Sequence, residues 1–155
     1  MEDEGLMCEM QSMGKAGETH VSAVLVVEDD HVSGYLLKAL LERSPLPVST
    51  VEIVERLDEA IGALAKTAYD LALLDLNLPD SRGADTVTAV VNTCPDLAIV
   101  VVTGEYDEDQ AVNMLALGAQ DYLVKGQYST NALIRTIRYA LARKQAEWAA
   151  RAACR

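Results

Sequence analysis

Cysteine is scarce in this sequence and poorly placed for chemistry. Cys8, Cys94 and Cys154 are odd in number, widely spaced and free of any CxxC pair, so neither a disulfide framework nor a zinc site is indicated and idle or buried thiols are expected. Long apolar runs are also absent. Stretches such as Val24–Val27 and Ile99–Val102 last only a few residues, far below the ~20 needed to cross a bilayer. The chain opens Met1-Glu2-Asp3-Glu4, without a basic n-region or an apolar h-region. That excludes a secretory signal and makes the cytoplasm the expected compartment, with no membrane attachment. Basic residues are rare through the middle: residues 21–134 hold six against eighteen acids. A body of that charge repels nucleic acid phosphates. The six bases of residues 135–155 (Arg135, Arg138, Arg143, Lys144, Arg151 and Arg155) are spread along a helical pattern rather than clustered, so direct nucleic acid binding is not expected.

What is present is enough for one core. The chain has 155 residues, 50% hydrophobic and 24% charged, with a net charge of −11, the size and balance of a single globular domain. Residues 1–20 show neither a 2.0 nor a 3.6 repeat and read as a disordered leader. From Val21 onward, β-branched apolar runs alternate with helical periodicity. The expected pairs are Ala23–Val27 with Val32–Arg43, Val48–Val54 with Asp58–Thr67, Leu71–Leu74 with Ala84–Asn92, Ile99–Thr103 with Asp107–Leu117, and Tyr122–Val124 with a helix from about Asn131. Several strands are continuously apolar, as parallel strands covered on both faces must be. The expected fold is a doubly wound α/β sandwich around a five-stranded parallel sheet. Pro45, Pro47, Pro79 with Gly83, and Cys94-Pro95 punctuate the connections, and Gly118 sits where a helix C-terminal glycine belongs.

Ligands of such sheets bind outside the carboxyl ends of the strands. The residues ending the apolar runs there are Glu28-Asp29-Asp30, Asp75, Thr103-Gly104 and Lys125. Crowded carboxylates repel one another, and a hard divalent cation such as Mg²⁺ relieves that repulsion through oxygen ligands. A hydroxyl, an ammonium and a cation facing a carboxylate suit a phosphoryl group. Asp75 is the natural nucleophile, since a carboxylate can carry phosphate as an acyl phosphate.

Four segments then carry a resemblance. Val24-Leu-Val-Val-Glu-Asp-Asp30, Asp70-Leu-Ala-Leu-Leu-Asp-Leu-Asn-Leu-Pro79 with Gly83, Val101-Val-Thr-Gly104 and Asp121-Tyr-Leu-Val-Lys125 resemble the CheY-like receiver domain of bacterial two-component response regulators, over about residues 21–144. The resemblance implies the flavodoxin-like strand order 2-1-3-4-5, an order for which a member of this family is a standard example. It also implies Asp75 as phosphoacceptor and Mg²⁺ (Mn²⁺ as a substitute) held by Asp29, Asp75 and the backbone carbonyl of Asn77, with Glu28 acting through water. Thr103 and Lys125 would each contact a phosphoryl oxygen. Thr103 and Tyr122 would form the switch that reshapes the surface of the fourth helix, fifth strand and fifth helix. Asn77 and Glu105 would tune how fast water removes the phosphate. The implied partners are a histidine kinase or histidine phosphotransfer protein, and a downstream output domain or protein. Such a domain is no enzyme beyond catalysing its own phosphorylation and dephosphorylation.

The sequence departs from the family where Lys125 is followed by Gly126 instead of proline. A non-proline cis bond costs ~2.5–4 kcal/mol, so a trans peptide and a differently shaped loop are expected. Arg82 stands where an acid is common. Asp30 reads as a helix cap, Asp70 as the start of a strand, and Glu52, Glu55, Asp107, Glu108 and Asp109 as solvated charge. His31 reads as an exposed, inert residue and His20 as part of the leader. Ile134, Leu141 and Trp148 recur every seven residues, so an apolar stripe continues into a helical extension over residues 145–155. It leads into a further module or pairs two copies as a homodimer, and an excised receiver of a longer protein is the favoured expectation. Two other classes compete: a pseudo-receiver that only binds partners, and a small phosphohydrolase. The first predicts loss of Asp29, Asp75, Thr103 or Lys125, all present; the second requires an Asp-x-Asp motif, and Asn77 stands at its second position.

Overall fold

The computed structural model describes residues 23–153; the expected leader, with Cys8 and His20, lies outside the described residues, as does Cys154. Seven strands and five helices follow the order β1 (Ala23–Val27), α1 (His31–Arg43), β2 (Thr50–Val54), α2 (Leu57–Lys66), β3 (Leu71–Leu74), β4 (Asn77–Leu78), β5 (Ser81–Arg82), α3 (Ala84–Thr93), β6 (Ala98–Thr103), α4 (Glu108–Leu117), β7 (Asp121–Val124) and α5 (Thr130–Ala153). Five strands form one parallel sheet in the order β2-β1-β3-β6-β7, the flavodoxin-like arrangement expected. β4 and β5 make a separate antiparallel hairpin in what reads as a loop from sequence alone.

Alternate residues of each central strand feed two cores. Leu25, Val27, Ala72, Leu74, Ile99 and Val101 pack with Ala60 and Leu64 of α2, Val87 and Val90 of α3, and Met114 of α4. Val24, Val26, Leu71, Leu73, Val100 and Val102 face the other way, onto Leu37 and Leu41 of α1 and Leu133, Ile137 and Leu141 of α5. All residues of β3 and β6 are buried, which is why these strands read as unbroken apolar runs. Fully burying one such aliphatic side chain contributes about 1.5–3 kcal/mol.

The connections use local chemistry. Gly118 closes α4 with φ +123°, a conformation open to glycine, and a Cβ there would stand 3.1 Å from Val91. No cis peptide bond occurs among the described residues, so Lys125–Gly126 is trans as expected, and Gly126 takes φ +77°. Asp70 lies directly before Leu71, the first residue of β3, rather than in the strand, and its carboxylate accepts the Ala23 N–H at 3.1 Å, aligning the start of β1. Cys94 is buried at the end of α3.

The last helix extends to Ala153, and the final two residues of the expected extension lie outside the described residues. Ile134 and Leu141 of the apolar stripe are spent on the core, while Trp148 is half-buried and Gln145 exposed. Beyond Leu141, basic side chains fasten the helix to the amino end of the sheet. Arg143 donates to the Gln120 carbonyl at 2.7 Å and Lys144 to the Pro95 carbonyl at 2.9 Å, while Arg151 pairs with Asp96.

Candidate functional site

Strand register assembles the site. Val27 of β1 pairs with Leu74 of β3, so the residues after them, Glu28 and Asp75, emerge side by side. The pairing continues one step beyond the strands: the Asp75 N–H donates to the Val27 carbonyl at 2.9 Å and the Glu28 N–H to the Val54 carbonyl at 2.9 Å. On the far side Thr103 of β6 pairs with Val124 of β7, and the Lys125 N–H donates to the Thr103 carbonyl at 2.8 Å. Continuous hydrogen bonding thus fixes four strand ends on one edge.

One carboxylate oxygen from each of Glu28, Asp29 and Asp75 lies within 4.8 Å of the other two. Glu28 (2% exposed) and Asp75 (5%) are buried, Asp29 is exposed, and Thr103 is buried at the end of β6. Lys125 Nζ stands 2.7 Å from Glu28 Oε2 and 3.3 Å from Asp75 Oδ2. Two buried carboxylates therefore share one ammonium, and Asp29 adds a third negative charge. Burial pushes the Glu28 carboxyl up to about 6, with nearby Asp75 in the same direction; the bonds it accepts from Lys125 and the Asp30 N–H only partly oppose this. For Lys125, burial pulls the ammonium pKa down, but the contacts with Glu28 and Asp75 outweigh it and leave the pKa above its ordinary value.

A cluster of hard oxygen donors with excess negative charge fits a divalent cation of the Mg²⁺ type. The Asn77 N–H donates to Asp75 Oδ1 at 3.2 Å, which places the start of the β4–β5 hairpin against the cluster. Tyr122 packs at the margin of the first core, edge-on to Tyr106 at 6.4 Å between ring centroids. Its hydroxyl contacts the Glu105 carbonyl at 3.1 Å and Gln110 Oε1 at 2.8 Å. The structure thus brings Glu28, Asp29, Asp75, Asn77 and Lys125 together, with Thr103 at the end of the same sheet edge, while Glu105, on the connection after Thr103, meets Tyr122 of β7 in an adjoining network.

Residues read as bland fall elsewhere. Asp30 occupies the N-cap position of α1, but its carboxylate accepts from the Ser33 hydroxyl at 2.6 Å and caps no backbone N–H. His31 is exposed, 2.8 Å from Glu55. Two residues that matter locally are not apparent from sequence. Asp80, at the hairpin turn, accepts from the Leu57 and Asp58 N–H groups at 2.8 and 3.0 Å and so caps α2 from 22 residues away. Gln110 reads as an ordinary polar helix residue. Only a three-dimensional neighbour gives either its role.

This fold and edge define a parallel α/β domain with an acidic, lysine-bearing pocket at the carboxyl ends of its strands. The chain belongs to the response regulator receiver domain family, whose model it matches over residues 24–138. It is 38% identical over 100 residues to the regulatory protein LuxO of Vibrio cholerae, covering 64% of this chain and 21% of LuxO. It is 32% identical over 102 residues to the cell cycle transcriptional regulator CtrA of Caulobacter vibrioides, covering 66% and 43%. The match thus spans about a fifth of LuxO and less than half of CtrA. Among solved structures, the signal receiver domain of a LuxO-type repressor from Vibrio parahaemolyticus superposes with a TM-score of 0.69 at 29% identity, covering 81% of this chain and 94% of that one. The beryllofluoride-activated NtrC4 receiver domain dimer gives 0.71 at 27%, covering 79% and 98%. Receiver domains of this family are signalling modules of two-component systems. No helix among the described residues is long and apolar enough to cross a membrane.

Proposed function

We propose that this chain accepts a phosphoryl group from a histidine kinase or histidine phosphotransfer protein onto Asp75 and signals through the change in surface that follows. The observation that carries the reading is the joint placement of Glu28, Asp29 and Asp75 within 4.8 Å, with Lys125 3.3 Å from the Asp75 carboxylate. Asp29, Asp75 and the Asn77 carbonyl would hold Mg²⁺, or Mn²⁺, with Glu28 acting through water. The cation supplies charge neutralisation at the phosphoryl oxygens. An Asp75 carboxylate oxygen attacks phosphorus, the phosphorus–nitrogen bond of the donor breaks, and its electron pair stays on the imidazole nitrogen, which takes a proton. Lys125 pairs with one phosphoryl oxygen and the Thr103 hydroxyl donates to another.

Movement of Thr103 toward the phosphoryl group, with Tyr122 packing behind it, would reshape the face formed by α4, β7 and α5. Asn77 and Glu105 would tune how fast water removes the acyl phosphate and so set its lifetime. Receiver function is assigned to residues 21–144 and a helical extension to residues 145–155, in a cytoplasmic setting. Val32, Tyr35 and Leu36 are exposed on α1 directly after the acidic cluster, which supports contact with a partner helix. Pairing of two copies through α5 would draw on Trp148 and the exposed face of the helix, because Ile134 and Leu141 are already buried. Presence of Asp29, Asp75, Thr103 and Lys125 favours this reading over a phosphorylation-independent interaction module.

Intact mass after incubation with acetyl phosphate and Mg²⁺ tests it. A gain of about 80 Da that requires both the metal and Asp75, judged against Asp75→Asn, is the expected result. Absence of any gain, together with no binding of beryllofluoride, would leave the interaction module.

A further inference from the structure

Asp107 is the N-cap of α4, and its carboxylate accepts the Gln110 N–H at 3.0 Å. Gln110 is thus three residues past the cap, where a glutamine side chain usually folds back onto the N-cap backbone N–H in a capping box. Its amide instead meets the Tyr122 hydroxyl at 2.8 Å. That hydroxyl also faces the Glu105 carbonyl at 3.1 Å. A phenol has one proton, so it donates to one of these two oxygens; with the amide turned over, Gln110 Nε2 donates to the phenol while the phenol donates to Glu105. Both arrangements hold the ring in place. Gln110 is half-buried, and a Cβ added to Gly83 would lie 4.0 Å from its Nε2, so the side chain bridges Tyr122 toward the start of α3.

We propose that Gln110 is a positioning residue that holds Tyr122 packed against the core before any phosphoryl group is bound, and so sets the resting balance of the switch. The inference rests on the proposed switch role of Tyr122. A ring already held inward needs less rearrangement when Thr103 moves, so phosphoryl analogues bind more readily. Because Gln110 sits in the first turn of α4, the conformer of Tyr122 is tied to the helix that forms part of the output face. Nothing local in the sequence marks this role, since Asp107-Glu108-Asp109-Gln110 reads as an ordinary helix start.

The test uses the full chain carrying 3-fluorotyrosine, with the Tyr122 resonance assigned from Tyr122→Phe. In the unligated protein, Gln110→Leu is expected to shift that resonance toward its solvent-exposed position, while Gln110→Glu, which keeps the acceptor oxygen, leaves it near wild type. Beryllofluoride affinity in the presence of Mg²⁺ should fall about two- to tenfold in Gln110→Leu, the range of one hydrogen bond. It should change little when the same substitution is made in Tyr122→Phe, because the bond is already gone. An unmoved resonance, or an equal loss of affinity in the Tyr122→Phe background, overturns the proposal. If wild type fails to bind beryllofluoride, it is the phosphoryl reading that falls, and the fluorine signal of the unligated chain still decides for or against Gln110.

Discussion

Lys125 Nζ lies 2.7 Å from Glu28 Oε2, and the same nitrogen reaches Asp75 at 3.3 Å, so one ammonium compensates two buried acids. Removing it strands both. Lys125→Met is expected to destabilise the metal-free chain by about 1–3 kcal/mol at pH 7, the usual penalty for leaving a buried polar group without its partner. The loss should shrink at pH 5, where Glu28 protonates and the repulsion falls. Urea unfolding at the two pH values checks this, and an equal loss at both would remove Lys125 as the compensating charge.

Glu28 gives a second, separable pH dependence. Its folded-state pKa of about 6 lies above the ordinary 4.5, so ionisation is harder in the folded chain than in the unfolded one. Stability from this group is complete below 4.5 and is lost as pH rises through 6, a change on the order of 2 kcal/mol. The lowered carboxyls of Asp30 and Asp80 work in the opposite sense and at more acid pH. Glu28→Gln should therefore flatten the stability profile between pH 4.5 and 7. A cation at the cluster competes with that proton, so Mg²⁺ binding should weaken below pH 6 and release protons there. Calorimetric titration in buffers of different ionisation enthalpy measures the release; none at pH 5.5 would rule out a protonated Glu28.

How much of this was legible follows from the length of the signals. β3 and β6 were readable to within a residue because both faces are covered and every side chain except the terminal Thr103 is apolar. β2 begins at Thr50 rather than Val48, since the Val48 N–H turns back to Leu46 at 2.8 Å. The β4–β5 hairpin has two residues per strand, too few for alternation to register, so only Pro79 and Gly83 marked it. The acidic cluster was legible because each member ends an apolar run. Asp80 and Gln110 were not, because their partners are distant in sequence and their own surroundings are those of any polar surface residue.

Asp80 offers a prediction of that non-local kind. Arg56 holds the N-cap position of α2 but supplies no side-chain cap, and the Leu57 and Asp58 N–H groups bond to the Asp80 carboxylate instead. These bonds, more than the nearby Arg56, hold the Asp80 carboxyl below its ordinary pKa. Asp80→Ala should lower the urea midpoint by an amount comparable to loss of a helix N-cap, and Asp80→Asn, which keeps one acceptor, by less. Amide hydrogen exchange gives the sharper reading. Faster exchange at Leu57 and Asp58 in the alanine variant is expected, and unchanged protection there would mean that other groups satisfy the helix end.

The fastening of α5 makes the last prediction. Asp96 directly precedes Leu97 and β6, its side chain is 4% exposed, and it pairs with Arg151, which is 50% exposed. Lys144 and Arg143 bind the carbonyls of Pro95 and Gln120, the latter just ahead of β7. The late turns of the helix are thus tied to the starts of the two strands that end in Thr103 and Val124. Their own burial is slight, since past Leu141 only Lys144 and Trp148 are even half-buried, so the polar ties must do most of the holding. Arg151→Ala should cost about 1–3 kcal/mol, because it leaves the Asp96 carboxylate buried without this partner. Trp148, the chain's one tryptophan, lies a turn earlier and should shift its emission to the red as the helix end frays. High salt should do much less than the substitution, since a pair with one buried member is weakly screened. An emission spectrum that does not move in Arg151→Ala would show that packing, and not the Arg151–Asp96 pair, keeps the helix end in place.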